Sequence, residues 1–408
     1  MDRRSLLKLS AGVGALQLIP GLVLAQQGGT FKIGSLTPVT GAGSPYGPGM
    51  QQMIRAAVDE VNAAGGAGGA KLELFLEDTQ TKPEAAVLAA KKLIEVNKVQ
   101  AILGTWSSGV TLAVMPLTEA AGIIQMNTSG APAISALDTK DLVWRYQATN
   151  DRFGQAFAVI CQKRGFKRPA TMAFNNASGL GNTQGFTKAW EAAGGKVVAH
   201  VTYEPNRPSY RSELQKILDA KPDVIVTGSY LPDSTIILRE WFQSGVPVQW
   251  VMPGWATGPD LVKALGAEVV QGLISVDSVS NEKSKSFENY NSLYTKAMGK
   301  SGLSNVYAAM TYDMVIVLAL AMEAAGPGAT VAQINAKIRD IGNPPGKEVF
   351  TFAEGKALLA QKQKIDYQGA SSKLDFDKFG DVTPDFGVYV YEKGELVRKD
   401  VVSIPAGA

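Results

Sequence analysis

Phe31-Lys-Ile-Gly-Ser-Leu-Thr37, Met50-Gln-Gln-Met-Ile-Arg-Ala-Ala-Val-Asp-Glu-Val61 and Lys71-Leu-Glu-Leu-Phe-Leu-Glu77 follow one another near the front of the chain, and together they decide the fold. The first is short and mostly apolar and reads as a strand. In the second, Met50, Met53, Ile54, Ala57, Val58 and Val61 recur at three- and four-residue spacing, which puts one apolar stripe on a helix. In the third, Leu72, Leu74 and Leu76 alternate at the strand period, after a break at Gly65 to Ala70. A strand–helix–strand unit brings its strands side by side in parallel.

The same rhythm continues outward. Pro83-Glu84 opens a helix to about Asn97, Ala101-Ile-Leu-Gly104 is a short strand, Gly109 to Gly122 a helix and Ile123-Ile-Gln-Met126 a fourth strand. It restarts after about Asn150. Strands are expected at Ala170–Phe174, Lys196–Val201, Asp223–Thr227 and Gln249–Met252, with helices near Thr183–Ala193, Tyr210–Ala220 and Asp233–Gln243. Helices Lys285–Gly299 and Val306–Ala325 come next, then strands Lys373–Phe376 and Gly387–Tyr391. Two runs of this kind predict an α/β protein of two lobes, each a mainly parallel sheet flanked by helices.

Composition narrows the function. Arg3-Arg4-Ser5-Leu6-Leu7-Lys8, the apolar Leu9 to Leu24 stretch and Val23-Leu24-Ala25 read as a signal peptide cut after Ala25. The paired arginines resemble a twin-arginine export signal, though Asp2 and Leu6 depart from it; a Sec signal is the alternative. Net charge is +3, and removing Asp2, Arg3, Arg4 and Lys8 leaves +1, too little for a nucleic-acid partner. One Cys (Cys161) and one His (His200) leave no soft-ligand metal cluster and no intrachain disulfide. Met314 to Met322 is too short to span a membrane and reads as a buried core helix.

Open parallel sheets take ligands beyond the carboxyl ends of their strands. Here those loops carry Tyr46 in Thr37–Gly47, Thr105-Trp-Ser-Ser108, Asn127-Thr-Ser-Gly130, Asn175-Asn176, Tyr230-Leu-Pro-Asp233 and Pro253-Gly-Trp-Ala-Thr257.

At these residues the sequence resembles the branched-chain amino acid and amide family of periplasmic binding proteins, which have the type I fold. The resemblance rests on Lys32–Gly41, Gly47–Gly66, Gly104–Gly109, Asp223–Tyr230, Met310-Thr-Tyr-Asp313, Ile365–Ala370 and Asp375-Phe-Asp377. It implies three hinge crossings, near Asn150, Val276–Ser278 and Gln368. Lobe one is then residues 28–149 and 278–368, and lobe two is 150–277 and 369–408. It further implies a monomeric periplasmic protein of the Gram-negative type, without cofactor or catalytic residues, that delivers a small carboxylate ligand to the membrane permease of an ABC importer. In the family a Ser after the third strand and groups after the fourth hold the ligand carboxylate, which points to Ser108, Thr128 and Ser129. Tyr230 matches an aromatic that packs on the ligand, and Tyr46 and Tyr307 match positions at the cleft mouth. Ser108 also suits a helix N-cap. The acidic residues that hold an ammonium read as Asn150, with Asp151 beside it, and as Gly254 or Trp255. A buried ammonium without a carboxylate is costly, so an aromatic acid is expected, packed against Trp106 and Trp255, with an amide or a modified amino acid as the alternative.

Two other classes compete. A ligand sensor of the same fold would report to a membrane receptor. A nucleotide-dependent enzyme would use Gly179-Leu-Gly-Asn-Thr-Gln-Gly185, with Glu204 downstream, but the last glycine falls one residue late for a dinucleotide fingerprint. His200 lies in an expected strand, and no Gly-x-Ser-x-Gly elbow is present.

Overall fold

A computed structural model describes residues 29–405; the expected signal peptide lies outside them. The first sheet contains β1 (Thr30–Thr37), β2 (Lys71–Asp78), β3 (Ala101–Thr105), β4 (Ile124–Asn127) and β5 (Val143–Arg145), in the order β2-β1-β3-β4-β5 and parallel throughout. The second contains β6 (Pro169–Phe174), β7 (Ala199–Tyr203), β8 (Val224–Gly228), β9 (Gln249–Pro253) and β10 (Ile274–Ser278). A parallel pair, β11 (Lys347–Val349) and β12 (Ile365–Tyr367), stands apart. The hairpin of β13 (Phe386–Glu392) and β14 (Glu395–Val402) joins the second sheet antiparallel, giving β14-β13-β10-β9-β8-β6-β7.

Both parallel portions therefore share one winding. The strand order reverses between β1 and β3 in one sheet and between β6 and β8 in the other, so each has a crevice at the carboxyl ends of those strands. The first sheet is backed by the Gly47–Ala63 and Val306–Ala325 helices, where Thr311 Oγ1 donates to the Met50 carbonyl at 3.1 Å. Val306–Ala325 is long and apolar enough to cross a membrane by composition, but Tyr307 through Met322 are all buried in the core. Cys161 is buried and free.

Two local expectations change, and a third residue is placed. The Gly179–Gly185 segment is helix, not loop: it lies within Ala177–Ala192, started by the Asn176 side chain accepting from the Gly179 N–H at 2.8 Å. Its glycines serve close packing, since a Cβ on Gly185 would stand 2.5 Å from the Asp151 carbonyl oxygen and one on Gly179 2.8 Å from that of Gly228. That leaves no phosphate cradle. Lys373–Phe376 forms no strand. His200 is exposed on an edge strand, its Nδ1 2.9 Å from Thr171 Oγ1.

The passage expected near Gln368 also falls later. Asp313 accepts from the Tyr367 hydroxyl at 2.9 Å, from the Ala370 and Ser371 N–H groups at 2.9 and 2.7 Å, and from the Ser371 hydroxyl at 2.6 Å. Phe376 then packs edge-on against Trp144 and Tyr146, and the Arg145 N–H donates to Gly380. The chain stays beside the first sheet through Asp381 and enters the second at Phe386.

Candidate ligand-binding site

The two crevices face one another. Between them lies a small cavity of about 20 Å³ lined by Trp106, Thr128, Gly130, Gln147, Asn150, Ser178, Tyr230, Trp255 and Tyr307. That is room for about one water in this closed arrangement, and ligand pockets commonly span roughly 300–1,000 Å³, so the walls have to part to admit a ligand.

From the first sheet, β3 delivers Trp106 and β4 delivers Thr128 and Gly130. The turn after β4 is built from the chain's own hydrogen bonds. The Thr128 N–H donates to the Thr105 carbonyl, the Ser129 N–H to Asn127 Oδ1 and the Ala131 N–H to Ser108 Oγ. The Thr128 hydroxyl, by contrast, is buried with no hydrogen-bond partner, and the Gly130 N–H likewise has no acceptor among the described residues. An unmade buried hydrogen bond costs about 1–3 kcal/mol. These two donors are where the cavity can accept an anion.

The second sheet supplies mainly rings. Tyr230, after β8, stands 5.0 Å from Trp106 between ring centres, and its hydroxyl donates to Ser107 Oγ at 3.2 Å across the cleft. Trp255, after β9, packs edge-on against Phe153 at 4.9 Å. Tyr307 lies 5.8 Å from Trp106 and 5.0 Å from Tyr46, whose hydroxyl sits 3.5 Å from the Gly254 carbonyl. At the passage between the sheets, Asn150 Nδ2 donates to the carbonyl and hydroxyl of Ser178 at 2.6 and 2.8 Å. Gln147 Oε1 accepts from Ser278 Oγ at 2.8 Å, which ties two crossings together.

Six of the nine expected residues thus line the cavity, and three do not. Ser108 Oγ accepts from the Ala131 N–H and so braces the turn, without lining the cavity, and the N-cap position falls to Ser107, with Ser108 the first helical residue. Ser129 Oγ donates to the Trp106 carbonyl at 2.9 Å and lies 2.6 Å from Thr111 Oγ1, fully buried. Tyr46 belongs to the aromatic cluster without lining the cavity. Asp151 does not line it either.

The sequence reading missed Gly130, Gln147, Ser178 and Asp277. The last matters most. A Cβ on Gly254 would stand 2.1 Å from Asp277 Oδ2, so a carboxylate from β10 occupies the space that a side chain at 254 would fill. Burial pushes the Asp277 carboxyl up to about 7, partly offset by the Ser278 N–H. No salt bridge reaches it among the described residues. Burial, and then the Asp277 charge, pushes the Tyr46 and Tyr307 phenols well upward, so both remain neutral hydrogen-bonding groups. Among the described residues, no group of three His, Cys, Asp or Glu side chains is placed to hold a metal.

A two-lobed cleft of this form has a counterpart among known proteins. A family model described as "Periplasmic binding protein" matches residues 30–357. The chain belongs to that family. It is a substrate-binding protein and not an enzyme. The Leu/Ile/Val-binding protein BraC3 of Rhizobium johnstonii is 24% identical over 372 residues, covering 91% of this chain and 94% of that protein. The structure of the leucine-binding protein LivK of Thermotoga maritima superposes with a TM-score of 0.78 at 24% identity, covering 91% of this chain and 99% of that one. A solute-binding protein of an R. palustris ABC transporter, in complex with benzoate, gives 0.74 at 20% identity, covering 92% and 97%. This periplasmic binding protein thus has relatives of the same fold named for ligands of two different chemistries.

Proposed function

We propose that this binding protein captures a small aromatic carboxylate by hinge closure and hands it to the permease of an ABC importer. The observation that carries the reading is the unpartnered, buried Thr128 hydroxyl beside the Gly130 N–H, facing a cavity walled by four aromatic rings. A carboxylate oxygen satisfies both donors, and Trp106, Tyr230 and Trp255 offer aromatic faces for a flat ring once the lobes part. Hinge crossings near Asn150, at Val276–Ser278 and at 382–385 would let the lobes close as bodies. The protein acts as a monomer in the periplasm.

Asp277 favours a second reading, a zwitterionic amino acid whose ammonium pairs with that carboxylate. A thermal-shift screen of benzoate and 4-hydroxybenzoate beside leucine, isoleucine and valine separates them. Stabilisation by the aromatic acids is expected; a response to leucine alone would transfer the function to the second reading. Arg3 and Arg4 support twin-arginine export, and replacing both with Lys should strand the precursor in the cytoplasm. Normal export of that variant would mean the Sec route.

A further inference from the structure

Directly beneath the turn that bears Gly130 lies Arg145, a fully buried guanidinium that the binding reading above does not use. Its Nη1 donates to the carbonyls of Ser129 and Ala131 at 3.1 and 3.0 Å, one on each side of Gly130. Nη2 donates to Ser135 Oγ at 2.7 Å, and Nε to Asp381 Oδ1 at 2.8 Å. The Ser135 hydroxyl in turn donates to Asp381 Oδ2 at 2.7 Å. The planar fork is therefore spent on a fixed set of acceptors, which a lysine ammonium cannot reproduce.

The geometry has a chemical consequence. The Ser129–Gly130 peptide is trans, so its carbonyl and its N–H point in opposite directions. With the Ser129 carbonyl held down on Arg145, the Gly130 N–H is aimed away from the guanidinium and toward the cavity. A cation on the carbonyl oxygen also polarises the amide and strengthens its N–H as a donor to an anion. From the far side, the Asn150 N–H holds the Gly130 carbonyl at 2.6 Å, so both peptides flanking Gly130 are pinned.

We infer that Arg145, anchored by Asp381, is a positioning residue that aims and polarises the Gly130 N–H and so sets a preference for anionic over neutral ligands. The inference rests on the reading that a carboxylate meets the Thr128–Gly130 turn.

The test is Arg145→Lys, with the double variant Arg145→Met, Asp381→Asn as a second form that removes the pair without orphaning either charge. Calorimetry compares benzoate with benzamide and leucine with leucinamide on each protein. Loss of about tenfold for the carboxylate, against less than about twofold for its amide, is the expected result. Equal losses for acid and amide, or none, would overturn it, because a merely structural role does not discriminate by charge. Amide hydrogen exchange without ligand supplies an independent arm. The Asn150 and Ala131 N–H groups should exchange faster in Arg145→Lys while those of β1 and β3 are unchanged; unaltered exchange at Asn150 and Ala131 sinks the positioning role. Should wild type bind neither benzoate nor leucine, the carboxylate reading itself has failed, and the charge preference falls with it. The exchange arm still reports whether Arg145 holds the turn.

Discussion

The crevices of the two sheets share one strand winding and differ in almost everything else. On the first sheet, the loop after β4 is an inward-bonded polar turn: Asn127, Ser108 and Arg145 fix its peptides, while Thr128 Oγ1 and the Gly130 N–H find no partner among the described residues. On the second, the loops after β8 and β9 contribute Tyr230 and Trp255, and β10 adds the lone Asp277 carboxylate beside Gly254. The winding decides where a ligand goes; the loop chemistry decides which ligand. One wall sets a fixed donor pair beside Trp106 and Tyr307; the other carries Tyr230 and Trp255 with a titratable carboxyl behind Gly254.

The harshest way to break this comparison is Gly130→Ala. Its Cβ would lie 1.4 Å from Asn150 Oδ1, so the contact between the walls forms only if the Asn150 side chain gives up its hydrogen bonds to Ser178. Binding should fall by more than about a hundredfold, the equivalent of roughly 3 kcal/mol, while the open protein stays folded. Scattering should show no ligand-induced fall in the radius of gyration; an ordinary contraction would mean that closure does not use this contact.

Thr128→Val is gentler and splits affinity from stability. Losing a hydrogen bond to a charged ligand should weaken benzoate by about 10- to 150-fold. The unfolding midpoint should hold or rise, since an unsatisfied buried hydroxyl is removed. A fall in stability with unchanged affinity would place the hydroxyl in the core's service and not the ligand's.

Asp277→Asn sharpens the other wall by the smallest margin. The folded-state pKa, about 7, lies above the unfolded value, so this group favours the folded protein below about pH 4 and withdraws that support as pH rises through 7. Urea unfolding should find the variant more stable than wild type at pH 8 by about 1–2 kcal/mol, allowing for partial solvent access. The two should converge near pH 4. A pH-independent difference would remove the carboxyl's titration from the account. The same variant would abolish leucine binding under the second reading and spare benzoate.

Much of this was legible in advance wherever the signal is local. The helical spacing of Met50 to Val61 and the alternation of Leu72 to Leu76 belong to neighbouring residues, and both elements stand where they were read. Aromatic residues just after strands, Trp106, Tyr230 and Trp255, were found for the same reason. Reading failed where a partner comes from far along the chain. Gly179 to Gly185 imitates a phosphate loop until the close approaches to Asp151 and Gly228 show that it is a packed helix. Gly254 signified a missing carboxylate, yet Asp277 stands in the same place from the next strand of the sheet.

The sequence by itself determined the class of architecture, because periodicity and turn residues act within a few positions and repeat often enough to count. It also placed the ligand-facing loops, because in open parallel sheets these follow the strands. Only the tertiary structure decided which hydroxyl is free. Ser108, Thr128 and Ser129 are alike as residues, yet Ser108 Oγ accepts from Ala131, Ser129 Oγ donates to Trp106 and Thr128 Oγ1 has no partner. Hydrogen-bond satisfaction is a property of three-dimensional surroundings, and a buried donor becomes a binding group only when every other partner has been assigned elsewhere.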